Sequence, residues 1–151
     1  MRAVICQSNM QKWSEIKNEF EADGSLRDIY ISPANEAVWD SFIESLANSP
    51  YKTELFHNDL PVSFPLSFNR IKELQNSNPT ILHIWIGSKI QANCHFFTDE
   101  EIELDISPLD VTNEHGYNML HSFMSWLSSS LQRSVKLTHE GSPNMIICEV
   151  F

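Results

Sequence analysis

The chain has 151 residues, 42% hydrophobic and 11% aromatic, with 10 Lys+Arg against 20 Asp+Glu and a formal net charge of -10. That length and apolar content predict one domain over residues 1–151 with a sizeable core, and argue against disorder. The acidic balance disfavours nucleic acid and anionic lipid as partners. The longest apolar stretch, Ile81 to Ile86, is broken by His83 and falls far short of a membrane span.

The first residues, Met1-Arg2-Ala3-Val4-Ile5-Cys6-Gln7, are too short an apolar run for a signal-peptide core. Cys6, Cys94 and Cys148 are odd in number and widely spaced, which predicts reduced core thiols and a cytoplasmic setting. The spacing of Trp13, Ile16 and Phe20 predicts a short helix to about Lys17. A strand then follows into an Asp23-Gly24 turn, and residues 26–31 form the next strand. Asn35 is a good helix cap, with Glu36 in the first turn. Val38, Trp39, Phe42, Ile43 and Leu46 make one apolar face, and Asn48-Ser49-Pro50 stops the helix.

Residues 53–56 read as a short strand, 57–59 as a turn, and 62–64 as loop or edge strand between two prolines. Ser67 caps a short helix bearing Phe68, Ile71 and Leu74. Residues 81–86, 90–97 and 101–106 then read as a three-stranded meander. A three-residue loop pairs Ile86 with Ile90 and puts Leu82, Ile84, Ile86, Ile90, Ala92, Cys94 and Phe96 on one face. A one-residue slip would mix that set with polar side chains. Thr112 or Asn113 caps a long helix to about Arg133. Residues 135–138 and 145–150 are the last strands. The whole reads as an α+β fold, an antiparallel-rich sheet with two main helices packed on one face.

The opposite face of the meander gathers His83, Trp85, Gln91, Asn93, His95, Glu101, Glu103 and Asp105. A solvated sheet face explains such a set. A binding surface explains it too, with Trp85 and Phe97 as aromatic anchors beside charge. Asp99, Glu100, Glu101, Glu103 and Asp105 are five carboxylates in seven residues. They serve either as a charged edge that blocks strand addition or as a docking field for a basic partner. No histidine pair has metal-site helical spacing, Cys94 and His95 alternate to opposite faces, and no phosphate or nucleophile motif is present. The reading therefore assigns no catalytic residue, no metal and no cofactor.

Residues 23–30 (Asp-Gly-Ser-Leu-Arg-Asp-Ile-Tyr), Trp39, residues 93–97 (Asn-Cys-His-Phe-Phe) and residues 102–108 (Ile-Glu-Leu-Asp-Ile-Ser-Pro) carry a resemblance. From about Glu19 onward the chain resembles a family of small, largely uncharacterised bacterial proteins. That family is similar in character to the immunity proteins of toxin–immunity systems. The resemblance implies a cytoplasmic protein that neutralises a basic toxin domain, such as a nuclease, by stoichiometric binding. It carries over no catalytic residues. The expected contact residues, chosen from charge and exposure, are Asp99, Glu100, Glu101, Glu103, Asp105, Trp85, His83 and His95. The alternatives are a small hydrolase using His83, His95 and a carboxylate, and an intracellular regulatory or adaptor domain.

Overall fold

A computed structural model of the protein describes residues 10–151. The expectations for Cys6 and the first seven residues lie outside the described residues. Side-chain caps start each of the three longer helices. The Asn35, Ser67 and Asn113 side chains accept from the amides of Val38, Arg70 and Gly116 at 2.9, 3.1 and 2.9 Å. These caps begin α2 (Glu36–Ala47), α3 (Phe68–Gln75) and α4 (Glu114–Leu131). A single turn, α1 (Trp13–Ile16), runs into a 3-10 turn over Lys17–Phe20.

The strands are β1 (Arg27–Ile31), β2 (Lys52–His57), β3 (Leu60–Val62), β4 (Thr80–Ile86), β5 (Ile90–Cys94), β6 (Ile102–Ile106), β7 (Val135–His139) and β8 (Ser142–Val150). They form one eight-stranded sheet in the order β3-β2-β4-β5-β6-β1-β7-β8, and every neighbouring pair is antiparallel. This is the α+β single domain that the sequence predicts. Ile86 stands opposite Ile90, as the three-residue loop requires. The register therefore carries Leu82, Ile84, Ala92, Cys94, Leu104 and Ile106 into the core together.

All three longer helices feed that core, so α3 joins the two expected there. Trp39 is its largest fully buried side chain. Its ring stacks on Phe68 at 4.8 Å and lies 5.4 Å from Phe96, while its Nε1–H donates to the Thr98 carbonyl at 3.0 Å. One side chain thus ties α2, α3 and the β5–β6 connection together.

Two expectations are corrected. Among the described residues no strand precedes Asp23-Gly24, and β1 is no arm of a hairpin there, because it lies between β6 and β7. Helical spacing wins in the preceding stretch because it buries both Ile16 and Phe20. The buried Arg27 guanidinium then fixes the bend, donating to the carbonyls of Glu19 (2.8 Å), Glu21 (3.3 Å) and Leu26 (3.0 Å). The second strand of the meander also stops at Cys94 rather than Phe97. Phe96 takes a left-handed backbone (φ 56°), which turns its ring into the core against Trp39.

Candidate functional site

Alternation along the strands gives the sheet a second face. Register assembles it from residues far apart in sequence. One row crosses six strands: Glu54, His83, Asn93, Asp105, Asp28 and Thr138 are successive cross-strand partners. A second row runs Glu103, Tyr30, Lys136 and Glu149. A third sets Lys52, Trp85 and Gln91 side by side. The longer helices pack on the other face.

Hydrogen bonds organise the middle of this face. The Gln91 amide donates to Asn93 Oδ1 at 2.8 Å, and Asn93 Nδ2 donates to Asp105 Oδ1 at 2.9 Å. The other Asp105 oxygen lies 3.4 Å from His95 Nε2. Asp28 Oδ2 accepts from the Tyr30 hydroxyl at 3.1 Å and from the Gly141 amide at 2.8 Å. Asp28 is only 4% exposed.

Three carboxylates, Asp28, Glu103 and Asp105, therefore share a small area of two adjoining strands. Burial, outweighing the hydrogen bonds from Gly141 and Tyr30, raises the Asp28 carboxyl above its ordinary range, and Asp105 adds to the rise. Burial raises Glu103 likewise, with the Asp28 charge next. Burial also raises the Tyr30 phenol, so it is a hydrogen-bond donor here. His95 is raised by its hydrogen bond to Asp105, against a smaller opposing effect of burial. These are the shifts expected where like charges crowd and one imidazole answers them.

The eight expected contact residues divide. Glu103, Asp105 and His95 are brought together with Asp28 and Tyr30. His83 lies in the same row as Asp105, but its ring meets Phe56 at 5.2 Å, while the His95 ring stacks on Phe97 at 5.1 Å. The two histidines thus have separate partners. Trp85 stands at one end of the face with its Nε1–H on Glu54 Oε1 at 3.2 Å. Glu101 immediately precedes β6. Asp99 and Glu100 are exposed in the β5–β6 connection, which is bound to the helical side through Ala34 N to Glu100 O (2.8 Å) and through Trp39 to Thr98. They stand apart from the central cluster.

The sequence reading missed Asp28 and Tyr30. The signal was present: Asp28 and Tyr30 alternate with Ile29 and Ile31, as Glu103 and Asp105 do with their own isoleucine and leucine neighbours. Only the β1–β6 pairing puts the two sets side by side.

Chemically, the face offers carboxylates, an imidazole paired with one of them, and an aromatic ring, Phe97, that is 63% exposed. Cys94 is on the core side, fully buried, with burial raising its thiol far from the thiolate form. Among the described residues no group of three His, Cys, Asp or Glu side chains is arranged to hold a metal ion. No helix among them is long and apolar enough to cross a membrane. No protein-family model matches the chain, and neither a curated protein nor a solved structure matches it.

Proposed function

We propose that this chain is a protein-binding module that neutralises a basic toxin domain, of which a nuclease is one class, by covering it with the acidic face of the sheet. The observation that carries this reading is the cluster of Asp28, Glu103 and Asp105, in which burial and mutual repulsion raise the Asp28 and Glu103 carboxyls while His95 supplies partial compensation. Arg and Lys side chains of a partner would relieve that repulsion. A chain of net charge -10 would also steer them in.

Phe97, exposed and stacked on His95, supplies an apolar anchor beside the charges. An interface of about 1,600 Å² is enough for stable occlusion, with affinity set by a few such anchors. The mechanism is stoichiometric and needs no group of this chain to react.

Co-expression with the product of the neighbouring reading frame tests the reading. Expected are rescue of growth and a one-to-one complex whose affinity falls with added salt. Absence of both rescue and complex overturns the toxin-neutralising function.

A further inference from the structure

Where β2 begins and β4 ends, Pro50, Tyr51, Lys52, Trp85, Gly87 and Ser88 line a cleft of about 520 Å³. That volume lies within the usual range for small-molecule sites. Two aromatic walls are fixed from behind. Trp85 is held by its hydrogen bond to Glu54. Tyr51 packs edge-on against Phe123 at 5.0 Å and lies 5.2 Å from Trp126 of α4. Gly87 brings the β4–β5 turn directly onto α4. Its φ is +69°, and a Cβ there would meet the end of the Met119 side chain. Walls already held in place lose little freedom when a ligand arrives.

The polar groups of the cleft define the ligand. Lys52 is exposed and stands opposite Trp85 in register, so both side chains leave the same face of the sheet. Among the described residues the Lys52 ammonium has no hydrogen-bond or ion-pair partner, and neither has the Tyr51 hydroxyl. No acidic side chain lines the cleft, although the chain has twice as many acidic as basic residues. Glu54, two residues along the strand, is engaged with the indole. The site is therefore aromatic, cationic at one point, and equipped with a free phenol.

We propose that this cleft binds a small aromatic carboxylate, its ring against Tyr51 and Trp85 and its carboxylate on the Lys52 ammonium. A ring bearing an ammonium instead would face Lys52 with no acidic group to receive it. This goes beyond the partner-docking function. Lys52 and Tyr51 lie outside the acidic cluster, so failure here leaves that reading untouched.

The test titrates the full chain with 1-naphthoate and, separately, with 1-naphthylmethylammonium. Calorimetry reads affinity, and NMR reads the Trp85 indole N–H. Expected is saturable naphthoate binding that moves the Trp85 resonance, preferred over the cation. In Lys52→Ala the naphthoate affinity is expected to fall about threefold to fivefold, the range of one exposed charge pair. The circular dichroism spectrum stays unchanged because the replaced side chain is exposed. Equal affinity for the two probes, naphthoate binding indifferent to Lys52→Ala, or no saturation at low-millimolar concentration would each overturn the assignment.

Discussion

Asp28 and Asp105 stand directly opposite one another on β1 and β6, two carboxylates in register near the middle of the sheet. Like charges so placed destabilise a strand pair, and burial compounds the cost at Asp28. A carboxyl raised in the folded state favours the protonated fold. Its penalty is absent below the unfolded value and grows as pH rises through the folded one. Asp28→Asn keeps an oxygen for Tyr30 and Gly141 while removing the charge. It is expected to raise the melting temperature at pH 7.5 and to change it little at pH 4. Thermal unfolding at the two pH values checks this.

His95 is raised by a favourable contact of its charged form instead, and its pH dependence runs in the same direction. Its imidazole is raised by Asp105, so its contribution to stability is present below the ordinary imidazole value and is lost as pH rises through the raised folded value. An NMR titration is expected to place His95 above 6.5, the ordinary imidazole value, and Asp105→Asn is expected to bring it down. A titration unmoved by that substitution would remove Asp105 as its partner.

Among the described residues the Tyr117 hydroxyl is buried without a hydrogen-bond partner, while its ring packs 6.0 Å from Trp13 and 6.2 Å from Phe20. A buried hydroxyl left unsatisfied costs about 1–3 kcal/mol. Tyr117→Phe keeps the packing and is expected to stabilise the fold by about 1 kcal/mol in denaturant unfolding. A loss of stability would mean that the hydroxyl has a partner in solution.

Trp39 tests the core. Trp39→Ala removes the stack on Phe68 and leaves the Thr98 carbonyl without its donor. The expected cost is about 3–5 kcal/mol. Trp39→Phe, which loses chiefly the hydrogen bond, is expected to cost about 1–3 kcal/mol. Equal costs would place the contribution of Trp39 in its N–H rather than its ring.

Sequence made the core face of the meander legible because a period of two in Leu82, Ile84 and Ile86 admits only one register with Ile90, Ala92 and Cys94. The caps Asn35 and Ser67, and Asn113 as one of two candidates with Thr112, were legible because an amide in each first helical turn needs an acceptor. The position of β1 was not, since Asp23-Gly24 signals a local hairpin and says nothing of the long-range pairing with β6. That pairing decides the candidate site. Glu103 and Asp105 were visible as an acidic strand, but their crowding with Asp28 and Tyr30 exists only once β1 lies beside them. The early end of β5 was hidden for a related reason. Phe96 leaves the strand to meet Trp39, 57 residues away in sequence.

The most direct measurement of the acidic-face claim is calorimetric titration of the basic partner into wild type and into Glu103→Gln/Asp105→Asn, at low and physiological salt. Both substitutions are nearly isosteric, and circular dichroism checks that the fold persists. Expected is a loss of about tenfold or more in affinity, with a flatter dependence on salt, as for a removed charge pair at an interface. Unchanged affinity and an unchanged salt slope would contradict the claim and move the docking surface elsewhere on the molecule.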